Sequence, residues 1–134
     1  MTLEFSINTV YKNKPSREVV ERGAKSWVQK TGGLFDLRQI IEQGHAFCPA
    51  AMNSAHRKND SFKYADLLAV DVDDGLTKEQ FLDHALASQA AFTYTTASHT
   101  EELHKYRVIF QLPERITDPN VYKQVTTSMI KRLG

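Results

Sequence analysis

Residues 67–74 read LLAVDVDD, an apolar run of strand length that ends in three carboxylates within four positions. By length and content this is a strand for the middle of a sheet. Side chains alternate along a strand, so Asp71 and Asp73 project from one face with Cα atoms roughly 6.5–7 Å apart. Val70 and Val72 point the other way, toward helices. Two carboxylates so close repel each other unless a cation lies between them, and hard divalent ions such as Mg²⁺ or Mn²⁺ take such oxygen ligands. Asp74 falls on the opposite face and, with Gly75 behind it, shapes a turn. The same acids could equally be solvated strand-end residues ahead of a helix N-terminus, and D-x-D alone does not choose between the two.

The chain of 134 residues is one domain's worth. A formal charge of +1 gives no whole-molecule field toward nucleic acid or membrane, so any electrostatic function must be local. The single cysteine, Cys48, excludes an internal disulfide and a four-cysteine zinc site, and fits a reducing compartment. No apolar run reaches the roughly 20 residues of a membrane span, and the N-terminus lacks a signal-peptide layout. The expectation is a cytoplasmic protein with no membrane partner.

Leu3, Phe5 and Ile7 alternate with Glu4, Ser6 and Asn8, the period of a strand with one wet face. Pro15-Ser16 opens a helix with Val19, Val20, Gly23 and Trp27 on one side. Gly32-Gly33 breaks the chain before a second helix, with Leu34, Leu37, Ile40 and Ile41 inward and Gly44 as the stop. HAFCPAAMN (45–53) reads as extended, and the basic stretch after it as a loop. Thr77 and Gln80 form a capping box for a helix through about Ser88. AAFTYTTAS (90–98) and YRVIFQL (106–112) read as strands joined by the charged loop HTEELHK. Asp118 and Pro119 start a last helix carrying Tyr122, Val125, Met129, Ile130 and Leu133.

The predicted class is α/β (α+β), one domain over 1–134. An N-terminal α/β layer (about 1–60) packs on an RRM-like or ferredoxin-like β-α-β-β-α unit (about 65–134) that lacks its last strand. The chain stops where that strand should begin, which suggests a fragment of a longer protein or a shortened one. In such a unit the first and third strands are adjacent, which sets YRVIFQL beside LLAVDVD. Arg107, Ile109 and Gln111 then share an open face with the aspartates. Arg107 would reach a phosphate held by metal there, or else pair with Asp71 or Asp73. His99, at the end of its strand, could hydrogen-bond a nucleotide phosphate or sugar, or be a plain loop histidine. His104 reads as an ordinary loop residue. His45-x-x-Cys48 has zinc-like spacing, but with no second cysteine pair and only His56 in support a zinc site is not expected.

Taken together, LLAVDVDD, TYTTASHT and YRVIFQLP resemble the catalytic core of the archaeo-eukaryotic primase superfamily, in particular primase-polymerases of plasmids, phages and other mobile elements. The family's D-x-D motif matches at Asp71 and Asp73, and its s-x-H motif at Ala97-Ser98-His99. The arginine-bearing strand matches the segment that follows, and GHAFCPA and HRKND also look like family features. The likeness covers roughly residues 35–134. It implies template-directed nucleotidyl transfer: Asp71 and Asp73 holding Mg²⁺ or Mn²⁺, and Ser98, His99 and Arg107 holding a nucleoside triphosphate. Single-stranded DNA template would lie across the open face and the basic loop at Arg57 and Lys58. A replicative helicase domain or protein is the further partner implied.

The family's third acidic motif is not visible on a strand after His99, since Glu101 and Glu102 lie in the loop and Asp118 caps a helix. A site with two carboxylates should hold a second ion poorly, so the chain as it stands is expected to bind metal and nucleotide but to catalyse weakly or not at all. A metal-dependent nuclease or nucleotide cyclase would use the same acids. A non-enzymatic single-strand-binding module of the RRM kind is disfavoured, because aspartates stand where stacking aromatics should be.

Overall fold

The computed structural model describes residues 2–12, 16–52, 61–72, 76–96 and 100–133. In chain order these form strand β1 (Leu3–Lys12), helix α1 (Arg17–Gly23), β2 (Val28–Gly32), α2 (Leu34–Glu42), β3 (His45–Cys48), β4 (Ala50–Met52) and β5 (Phe62–Val72). Helix α3 (Lys78–Leu82), a 3₁₀ turn (Ala85–Gln89), β6 (Phe92–Thr95), β7 (Tyr106–Ile116) and α4 (Pro119–Leu133) follow. The class is mixed α and β, as expected. Two antiparallel sheets have the orders β2-β1-β3 and β4-β5-β7-β6.

Local chemistry sets several boundaries. The Ser16 hydroxyl accepts from the Val19 N–H at the start of α1, and Thr77 and Gln80 form the expected capping box on α3. Past the end of α2, Gly44 adopts φ 85°, a left-handed conformation that costs glycine nothing and turns the chain into β3. Asp118 accepts from the Asn120 N–H at 2.8 Å, with Pro119 in the first helical position of α4. Pro49, which has no N–H for a ladder, separates β3 in the first sheet from β4 in the second. The Ser6 hydroxyl ties the two sheets at that corner by donating to the Ala50 carbonyl at 2.8 Å.

The adjacency expected for the strands around residues 70 and 108 is observed, with Val70 opposite Val108 and Asp71 opposite Arg107. On one face of this sheet, Leu68, Val70, Val72, Val108 and Phe110 pack with Phe81, Leu86 and Leu133 from the helical side. The other face is not open. Leu67 and Ile109 are both at 0% exposure, packed against Leu3, Phe5, Leu37 and Phe47 of the first sheet and α2. Leaving two such side chains in water would forgo about 1.5–3 kcal/mol each, which is why the first sheet settles there. A strand of template cannot therefore run the length of that face.

A cluster at the far end clamps the sheets together. Arg115 on β7 donates to Asp66 on β5 (2.9 Å) and to Glu4 on β1 (2.8 Å), and its guanidinium stacks 4.0 Å over the Tyr64 ring. The Glu4 N–H in turn donates to Asp66 at 3.0 Å.

Other sequence expectations need correction. Ser6 and Asn8 do not form a wet face, being 1% and 0% exposed. The Asn8 amide donates to the Gly23 carbonyl at 2.8 Å and its Oδ1 accepts from the Val10 N–H, so its polarity is satisfied internally. Trp27 is not helical: α1 ends at Gly23, and Trp27 is buried just before β2. Strand β2 escaped notice because it is an edge strand with four of its five residues exposed and no alternation to read. The helix expected from Thr77 to Ser88 is two short pieces, parted where His84 turns its ring to accept from the Leu86 N–H. On α4, Ile130 points outward at 51% exposure.

Candidate functional site

Asp71, Arg107 and Tyr94 form a row across three neighbouring strands, since Arg107 is the register partner of both of the others. The Arg107 Nε donates to Asp71 Oδ1 at 2.5 Å, and its Nη1 donates to the Tyr94 hydroxyl at 2.8 Å. The Asp71 side chain is 50% exposed and that of Arg107 30%. Burial works to lower the Arg107 pKa, but the hydrogen bonds and charge of Asp71 and Tyr94 outweigh it and raise the value, so the guanidinium stays a cation. Burial likewise raises the Tyr94 phenol, against the pull of the Arg107 charge. The hydroxyl keeps its proton while accepting from Arg107, and so remains a donor.

Tyr94 and Arg107 of this row line a cleft of about 580 Å³ between the two sheets. Tyr11, Trp27, Phe47 and Tyr94 give it aromatic walls, with His45, Thr95 and Thr96 as further lining residues. Tyr11 and Trp27 meet edge to face, centroids 6.0 Å apart at 83°. His45 follows the Gly44 turn, and its Nδ1 is buried with no hydrogen-bond partner among the described residues. A larger hollow of about 800 Å³ runs along the outer face of α4. Its lining is polar, with Lys123, Lys131 and Arg132 the charged members, and α4 packs on the sheet face opposite to Asp71.

Of the residues singled out from the sequence, the structure brings Asp71 and Arg107 together. Asp73, Ser98, His99, Arg57 and Lys58 lie outside the described residues. The described chain nonetheless reaches Val72 and Thr96, the residues leading directly into Asp73 and into the 97–99 segment. His104 is a structural residue: its side chain is 13% exposed, and Nδ1 accepts from the Lys78 N–H at 3.0 Å at the start of α3. Cys48 is buried with Trp27, Ala50 and Ala65 and serves the core. Strand β7 is longer than expected and carries an acid after all, Glu114. It lies seven residues beyond Arg107, about 23 Å along the strand, and does not join the site.

Among the described residues no group of three or more His, Cys, Asp or Glu side chains could hold a metal ion. The half-exposed Asp71 carboxylate does suit a hard divalent ion that keeps most of its water and takes one or two carboxylates from the protein. The aromatic cleft went unread in the sequence. Its residues come from β1, the segment before β2, β3 and β6, and no spacing links them. No family model matches the chain, and neither the curated proteins nor the solved structures compared with it gave a match.

Proposed function

We propose that this chain is the nucleotide-handling core of a template-directed nucleotidyltransferase of the primase-polymerase kind, acting on nucleoside triphosphates along single-stranded DNA. The observation that carries the reading is the side-by-side placement of β5, β7 and β6. Three segments distant in sequence meet at one place beside a cleft: the ends of the D-x-D strand and of the strand leading into Ser98-His99, and the start of the arginine strand.

In this reading Asp71, with Asp73, holds Mg²⁺ or Mn²⁺, which when bound supplies Lewis-acid polarisation of the α-phosphate and alignment of the attacking 3′-hydroxyl. Arg107 is kept cationic and pre-oriented by Tyr94, so it can turn from Asp71 to the triphosphate without reorganising its other contact. Ser98 and His99 contact the same triphosphate. Because the first sheet packs over Leu67 and Ile109, template does not run along that sheet surface in this reading.

The test is calorimetric titration of a nucleoside triphosphate with Mn²⁺ into the chain and into Asp71→Ala and Arg107→Ala variants of confirmed fold. Binding by the parent and its loss in Asp71→Ala are expected. Equal behaviour of all three proteins would sink the proposal. With template present, product analysis separates polymer growth from strand cleavage by a nuclease and from a cyclic nucleotide.

A further inference from the structure

The cleft has two features that the proposed function leaves unused. Its walls are aromatic and its one described histidine has an orphaned ring nitrogen, and Arg107, the proposed triphosphate contact, lines the same cleft. A volume of about 580 Å³ falls within the range of small-molecule sites and exceeds what a single ordered water or ion needs.

We infer that this cleft is a nucleobase pocket, in which the base of a mononucleotide lies among Tyr11, Trp27, Phe47 and Tyr94 while His45 hydrogen-bonds its polar edge. The inference rests on the proposed nucleotide chemistry and adds to it the place and the reader of the base. Flat π-faces favour a planar heterocycle, because stacking needs extended contact on a rigid surface. A buried imidazole nitrogen without a partner is a cost unless something completes it. A half-turn about the soft χ2 torsion exchanges Nδ1 with Cδ2 and so gives the ring nitrogen a second position from which to meet a ligand. An aliphatic ligand would satisfy the walls but leave the His45 nitrogen unanswered. A nucleotide answers both, with base against the walls and polar edge at His45, and its phosphate lies toward Arg107. A base held in this way has its hydrogen-bonding edge turned to protein, so the pocket takes an unpaired nucleotide before template does, and the base must leave His45 to pair.

Trp27 is the only tryptophan and lines the pocket, so its fluorescence reports occupancy directly. The experiment titrates the whole chain with adenosine, guanosine, cytidine and uridine without metal, then with the triphosphates and Mn²⁺, and with a short single-stranded oligonucleotide. Nucleosides alone should quench Trp27 in the millimolar range, with a preference among bases. His45→Gln should weaken the preferred nucleoside by about fivefold to tenfold and change the rank order, as loss of a specific hydrogen bond does. Thr95→Phe, at an exposed rim position where folding is not at stake, should block nucleosides by filling the pocket. Asp71→Ala should abolish the gain from Mn²⁺ and triphosphate.

Silent nucleosides alongside calorimetric binding of Mn²⁺ and triphosphate would overturn the pocket and leave the proposed function standing. Binding unchanged in both His45→Gln and Thr95→Phe would also overturn it. An oligonucleotide that quenches more tightly than every mononucleotide would reassign the site to a strand. If neither nucleosides nor triphosphates bind, both readings fall together.

Discussion

Arg107 and Asp71 face each other across the β5–β7 pair, Nε to Oδ1 at 2.5 Å, with the carboxylate half in water. The pairing neutralises an acid that a divalent ion would also want, so the arginine competes with metal until a phosphate draws it away. Arg107→Ala should therefore bind Mn²⁺ more tightly than the parent, by roughly twofold to fivefold, the weight of a partly exposed ion pair. The same variant should bind the metal-complexed triphosphate more weakly. Paramagnetic resonance of free Mn²⁺ measures the first and calorimetry the second; unchanged Mn²⁺ affinity would remove Asp71 from the ligand set.

The Arg115 clamp gives stability a defined acid limit. The hydrogen bond from Arg115, reinforced by the Glu4 N–H and opposed by partial burial, lowers the Asp66 pKa below its ordinary 3.8. A carboxyl with a depressed folded pKa contributes its stability above the unfolded value, and the contribution is lost as pH falls through the folded one. Thermal midpoints should thus be flat in this respect above about pH 5 and fall below about pH 4. Arg115→Ala should lower the midpoint at neutral pH and flatten the acid slope; a parallel slope in the two proteins would show that other carboxyls set it.

Ile109 is fully buried where the two sheets meet. Truncation to alanine should cost about 2–5 kcal/mol in urea unfolding, because packed neighbours relax only partly into the space. Phe35 is larger but 69% exposed, and Phe35→Ala should fall within about 0.5 kcal/mol of the parent. Similar losses at both positions would mean that the covered face is not the main joint between the sheets.

Gly23 ends α1 against the cleft wall. A Cβ built there would lie 2.6 Å from Cε1 of Tyr11 and 2.9 Å from Cγ1 of Val10, closer than real contacts allow. Gly23→Ala should destabilise by about 1–3 kcal/mol, as overpacking does, and push Tyr11 off its edge-on contact with Trp27. Near-ultraviolet circular dichroism and Trp27 emission report that displacement, and nucleoside quenching should weaken with it. A native aromatic spectrum would show that Val10, at the surface, absorbs the strain instead.

Much of this architecture was legible because short-range chemistry wrote it. The capping pairs at Thr77-Gln80 and Asp118-Pro119, the Gly44 stop and the alternation through Val70 and Val72 are local signals that survive folding unchanged. The placement of Arg107 beside Asp71 followed from strand order, a topological inference that needed no side-chain detail. Edge strand β2 and the two-piece helix after Thr77 were not legible, since exposed residues carry no periodic record and His84 interrupts the helix by a contact of its own.

By itself, the sequence determined which side chains share a face, because the twofold alternation of a strand is a property of the backbone. It could not say what would cover that face. The tertiary structure decided that the first sheet packs over Leu67 and Ile109 while the Asp71 side chain stays half exposed. The same long-range packing assembled Tyr11, Trp27, His45, Phe47 and Tyr94 into a cleft. Burial of apolar surface depends on area and not on order in the chain, so residues over eighty positions apart became neighbours with no motif to announce them.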